Sequence, residues 1–188
     1  MSWLGATYNS QGRVEEAVGL LRPSLQRMRR TLGEDDYITL VTARHLGRAL
    51  LDQRRFAEAE ELLRDTIEKM TRRDFAEADV LMTQSALAKA FFMTGRVKEA
   101  ERMAVELVEG FRRIEGDGGR QTLFHEMKLG EIYADWGRYD EAEHLLRRSA
   151  AGLPRVVGDG HELTREAISA LVRVDSLRSN RQARKRVK

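Results

Sequence analysis

The stretch Leu129-Gly130-Glu131-Ile132-Tyr133-Ala134-Asp135-Trp136-Gly137-Arg138-Tyr139-Asp140-Glu141-Ala142-Glu143 decides the fold, because the chain repeats its pattern four times. Its second half recurs as Gly12-Arg13-Val14-Glu15-Glu16-Ala17, Arg54-Arg55-Phe56-Ala57-Glu58-Ala59 and Gly95-Arg96-Val97-Lys98-Glu99-Ala100. Its first half recurs as Leu4-Gly5-x-x-Tyr8, Leu46-Gly47-x-x-Leu50 and Leu87-Ala88-x-x-Phe91, always ending nine residues before the alanine. Two anchors that keep register through four copies define a tandem repeat with a period close to 42 residues.

Each copy reads as an antiparallel helix pair. A small residue after the anchor leucine admits a neighbouring helix, and the large residue three positions later lies on the same face to fill the space left over. Gly-Arg, replaced once by Arg54-Arg55, marks the turn, since glycine readily ends a helix in the left-handed conformation. After each alanine, Leu20-Leu21, Leu62-Leu63, Met103-Ala104 and Leu145-Leu146 sit three and four residues on, as an amphipathic second helix requires. The pattern predicts first helices near 1–11, 37–53, 77–94 and 121–136, second helices near 13–31, 55–72, 97–114 and 139–156, and a last helix near 162–178. Gly33-Glu34-Asp35-Asp36, Gly116-Asp117-Gly118-Gly119 and Gly158-Asp159-Gly160 read as turns between units. Pro23, inside a predicted second helix, is expected to kink it or free a carbonyl.

The Leu-Gly-x-x-Tyr anchor, the alanine nine residues on and Gly137-Arg138-Tyr139-Asp140-Glu141-Ala142-Glu143 resemble the tetratricopeptide repeat. The long period and Leu32-Gly33-Glu34-Asp35 followed by Thr39-Leu40 resemble its kinesin light chain variety. The resemblance implies an all-α, α-α superhelix of about four helix-turn-helix repeats plus a C-terminal capping helix. It also implies a concave face, lined by first helices, that holds a peptide or short helix of a partner. The asparagine that this variety usually carries before the anchor leucine is replaced by Trp3, His45, Ala86 and Lys128, so a motor-cargo role is not implied.

Composition agrees with an interaction module. The 188 residues are 41% hydrophobic, with two prolines and no cysteine, which supports a helical core without disulfides or thiolate chemistry. The chain has neither an apolar run long enough for a membrane span nor a secretory leader pattern at its start, and a cytoplasmic location is expected. Arg178, Arg181, Arg184, Lys185, Arg186 and Lys188 crowd the last eleven residues; setting these six charges aside turns the net +3 into −3. Residues 1–178 thus read as the repeat domain and 179–188 as a basic, flexible tail.

The expected lining of the first helices is Val41, Arg44, His45, Arg48 and Asp52, then Met82, Ser85, Lys89 and Met93, then Phe124, Met127, Lys128, Glu131 and Asp135. Within it the candidate groove residues are Arg44, Arg48, Lys89 and Lys128 for carboxylates of a partner, with His45 as a further contact and Met82, Phe124 and Glu131 beside them. The alternative reading is association with nucleic acid through Arg181, Arg184, Lys185 and Arg186, although the tail has no aromatic residue to stack on bases. No catalytic residue, metal site or cofactor is expected. His125-Glu126 and His161-Glu162 begin a zinc-helix pattern, but Leu129 and Arg165 stand where its second histidine belongs. At the C-terminal end Leu171-Val172-x-x-Asp175 occupies the anchor, and an aspartate at the large apolar position marks a solvent-facing cap.

Overall fold

A computed structural model describes Thr7, Tyr8 and residues 12–186, with the side chains of Asn180 and of residues 182–186 outside the description. Eight helices follow one another among the described residues: α1 (Val14–Thr31), α2 (Tyr37–Asp52), α3 (Phe56–Arg72), α4 (Glu77–Met93), α5 (Val97–Glu115), α6 (Arg120–Asp135), α7 (Tyr139–Val157) and α8 (Glu162–Arg186). Thr7 and Tyr8 are also helical; the rest of the helix expected near 1–11 lies outside the described residues. The chain forms two compact units, Met1–Ala100 and Glu101–Lys188, with the division inside α5.

The repeat anchors are the core of both units. Ala17 and Ala59 in the first unit have no exposed surface, nor does Ala142 in the second, and each marks where a second helix lies tightly on its neighbour. Leu46, Leu50, Leu87 and Phe91 are buried in the first unit, and Leu129 and Tyr133 in the second. A Cβ added to Gly47 would come within 2.7 Å of Leu63, and one added to Gly130 within 2.8 Å of Leu146. The small residue after the anchor leucine is therefore the point where a first helix meets its second. In the second unit Gly152 repeats the device, its absent side chain leaving room for Leu123.

The hairpin turns share one geometry. Gly12, Gly95 and Gly137 have φ of 75°, 72° and 73°, and Arg54 takes the same left-handed conformation at 61°. The amide of the next residue closes the turn on the anchor carbonyl five residues back: Arg13 on Tyr8, Arg55 on Leu50, Arg96 on Phe91 and Arg138 on Tyr133, each at 2.9 Å. That arginine then acts as a strut. Its guanidinium lies 4.1 Å from the Tyr8 ring in the first turn, 4.3 Å from Phe91 in the third and 4.0 Å from Tyr133 in the fourth. It also pairs with the glutamate three residues on, Glu16, Glu58, Glu99 or Glu141. Arg96 reaches Glu60 on α3 at 2.8 Å, and Arg138 reaches Glu101 on α5.

Pro23 does not interrupt α1, which runs unbroken from Val14 to Thr31. Pro23 and Gly19 are both exposed, so water can satisfy the carbonyl that the proline leaves unpaired. The last helix differs from expectation: α8 continues to Arg186 instead of ending near residue 178. Its C-terminal half is strapped to α7, with Arg178 paired to Asp140 at 2.8 Å and to Glu143, and with Arg181 donating to the Gly137 carbonyl at 2.8 Å.

Two substitutions separate the roles of turn and contact. Arg54→Gly, which removes a Cβ from the left-handed region, is expected to raise stability by up to about 1 kcal/mol. Gly130→Val, which drives a branched side chain into Leu146, is expected to cost about 1–3 kcal/mol. Urea unfolding followed by circular dichroism measures both, and the two shifts should have opposite signs.

Candidate functional site

In the first unit, α2 and α4 lie side by side and are joined by two ion pairs. Arg44 Nη1 is 3.2 Å from Asp79 Oδ1, and Lys89 Nζ is 2.7 Å from Asp52 Oδ1. Arg44, Arg48 and Asp52 are one helical row of α2, four residues apart. Arg48 thus falls between the two pairs; it is exposed and has no carboxylate partner among the described residues. Met82 and Ser85, both half-buried, lie on α4 between Asp79 and Lys89.

His45, half-buried beside this row, has its pKa lowered to about 4, first by burial and then by Arg44 and Arg48. It is a neutral imidazole near pH 7. Tyr37 extends the Arg44–Asp79 pair: its ring packs on Phe75 with centroids 5.6 Å apart, and burial together with the Asp79 carboxylate raises its pKa. At the far end of α4, Phe92 and Met93 are exposed.

In the second unit the predicted residues gather on α6. Lys128 Nζ is 3.0 Å from Glu131 and 3.6 Å from Glu166 on α8, and it lies 5.7 Å from the Phe124 ring. Asp135 pairs with Arg173 of α8 at 3.2 Å. Phe124 is half-buried against the core cluster. Met127 is corrected from lining to core: it has no exposed surface and belongs to the buried cluster built by α5, α6, α7 and α8. Of the tail residues, Arg181 lies along α7 with its guanidinium 5.7 Å from the Tyr139 ring. The side chains of Arg184, Lys185 and Arg186 lie outside the described residues.

Beneath this face is a charged core that spacing alone did not reveal. Glu126 has no exposed surface, and two arginines hold its oxygens: Arg112 Nη2 donates to Oε1 at 2.9 Å and Arg148 Nε to Oε2 at 3.1 Å. Both guanidinium groups also reach Asp117 Oδ1, at 2.8 and 3.0 Å. Hydrogen bonding from Arg148 lowers the Asp117 pKa. One buried carboxylate thus ties α5, α6 and α7 to the turn between α5 and α6. Next to it His125 stacks on Phe111 at 4.9 Å and 3°, and meets the edge of Phe124 at 4.9 Å. Its Nε2 has no hydrogen-bond partner, and burial followed by the nearby Lys128 charge lowers its pKa to about 4. The only sequence signal for these roles was the His125-Glu126 pair itself.

Comparison with known proteins follows the same architecture. A family model described as "Tetratricopeptide repeat" matches residues 1–72 and 79–155. Among solved structures, the kinesin light chain nearly identical TPR-like repeats of Podosopora anserina share 24% identity. The match covers 98% of this chain and 88% of that one, with a TM-score of 0.75. BtubC (BKLC) from P. vanneervenii shares 18% identity over 95% of this chain and 78% of its own, with a TM-score of 0.68. At these identities the likeness carries the fold alone. No curated protein sequence matches the chain.

Two measurements test the buried polar core. Glu126→Gln should cost about 2–3 kcal/mol, less than a fully orphaned buried charge because both arginines are partly exposed and can turn to water; chemical denaturation reads it. For His125 the folded pKa lies below the unfolded value, so the unfolded chain binds the extra proton between them. Its contribution to stability is complete above about pH 6.5 and is lost as pH falls toward about 4. His125→Phe, which keeps the stack, should therefore lose less stability than the parent between pH 7 and pH 5. Equal losses would refute the assignment.

Proposed function

The chain belongs to the tetratricopeptide repeat family, and on that basis we propose that it is a non-catalytic scaffold that holds a peptide or short helix of a partner protein against its first-helix faces. The family's fold generally mediates protein–protein interaction. Among the described residues no helix is long and apolar enough to cross a membrane.

The observation that carries this reading is the position of Arg48. The two ion pairs that flank it neutralise Arg44 and Lys89, and His45 is uncharged, so among the described residues of the α2–α4 face Arg48 is an exposed cation without a carboxylate partner, beside the adaptable side chains of Met82 and Met93. Such a face offers one directional charge-assisted contact, with apolar contacts around it. In the second unit Phe124, Lys128 and Glu131 present a mixed apolar and charged face of the same type. The chemistry suits grip more than proton transfer, since His45 and His125 are both held far below the range in which a general base works near neutrality.

Affinity capture from cell lysate with nuclease present, followed by mass spectrometry, is the test. Arg48→Glu should leave the helical signal and melting temperature unchanged while lowering recovery of the captured protein at least about tenfold. Recovery equal to that of the parent refutes the α2–α4 face. Material that disappears with nuclease and depends on Arg181, Arg184, Lys185 and Arg186 moves the function to nucleic acid.

A further inference from the structure

In the pairs α2–α3 and α6–α7, the anchor face of the first helix is covered by the second helix, with Gly47 against Leu63 and Gly130 against Leu146. On α8 the corresponding positions are Val172 and Asp175, and no helix among the described residues covers them. Ile168 and Val172 are 48% and 59% exposed. Val172 stands where the pairs α2–α3 and α6–α7 need glycine, so its branched side chain keeps out a second helix at that close approach. A helix at ordinary spacing, about 8–10 Å between axes, fits above it.

The pattern of that face states what such a helix must carry. His161, Arg165, Ile168, Val172, Asp175 and Ser179 are spaced by four, three, four, three and four residues, the spacing of a coiled-coil seam. Apart from Ile168 and Val172 they too are exposed, and Arg165 and Asp175 have no ion-pair partner among the described residues. The seam is also symmetric about the level of Ala170. In an antiparallel pairing with an identical helix, Ile168 meets Val172, Arg165 meets Asp175, and His161 meets Ser179, each twice. Ser169 and Ser176 flank the seam with small side chains that permit close packing. A surface complementary to itself under a two-fold rotation is the requirement for an isologous dimer.

We propose that a second copy of this chain docks on α8, antiparallel, through Ile168 and Val172, with two Arg165–Asp175 pairs between the copies. The seam has two apolar residues per helix, so the dimer is weak, with a dissociation constant on the order of 10–100 µM.

Sedimentation of the intact chain over a concentration series tests this. The parent should pass from monomer to dimer. Asp175→Arg places two arginines opposite each other at both ends of the seam and should weaken association at least about tenfold, as should Arg165→Asp. The double variant Arg165→Asp/Asp175→Arg exchanges the charges and should restore the parent's association, which no merely structural role of either residue predicts. Circular dichroism melts confirm that the variants fold. A parent that stays monomeric at about 500 µM overturns the proposal. So does a dimer indifferent to the single reversals, or a double variant that fails to recover.

Discussion

Everything in this chain depends on how sharply and how closely its helices reverse on each other. The turn needs one residue in the left-handed region, and the pair it joins needs a small side chain or none at all at the point of closest approach. Gly12, Gly95 and Gly137 meet the first condition at no steric cost, Arg54 meets it under strain, and Gly47 and Gly130 meet the second. The arginine after each turn secures the result by three means at once: its amide closes on the anchor carbonyl, its side chain pairs with the next helix, and in three turns it covers an aromatic ring. A geometry held in this redundant way can be repeated, and so each unit is built from copies of one design.

Charge is spent differently inside and outside these copies. Between neighbouring helices it is paired across repeats, as in Arg44–Asp79, Lys89–Asp52 and Arg173–Asp135. In the second unit it goes deeper, where Glu126 joins three helices through two arginines. Such a pair adds little net stability over apolar packing, but it penalises any arrangement that leaves the carboxylate alone. On the two faces proposed as contacts, charges without an ion-pair partner among the described residues include Arg48 on the α2–α4 face, and Arg165 and Asp175 on α8. These are the residues through which the two proposed contacts, with a partner and with a second copy, take their direction.

The fold was legible because repetition multiplies a weak signal. A single Leu-Gly-x-x-Tyr says little, but four in register with four alanines placed the helix ends to within about one residue in most cases: α2 was expected over 37–53 and spans Tyr37–Asp52. Legibility failed where a residue's meaning depends on its neighbour in space. Met127 lies on the helix row that spacing assigns to the lining, yet it is fully buried in the core cluster. Lys128 looks free in one dimension and is shared by Glu131 and Glu166 in three. The run of basic residues after residue 178 read as a tail, although Arg178 and Arg181 find partners on α7 that carry α8 onward to Arg186.

By itself the sequence determined the helix pairs, their turns and the family, because these follow from local period, backbone conformation and spacing. Only the tertiary structure decided which charges are spent and which are left over. Ion pairing and burial join residues some 35 positions apart, and no local rule of periodicity reaches that far. Arg44 and Arg48 are alike in the sequence, one helical turn apart. One is held by Asp79 and the other faces water, because α4 brings a carboxylate to the first and none to the second.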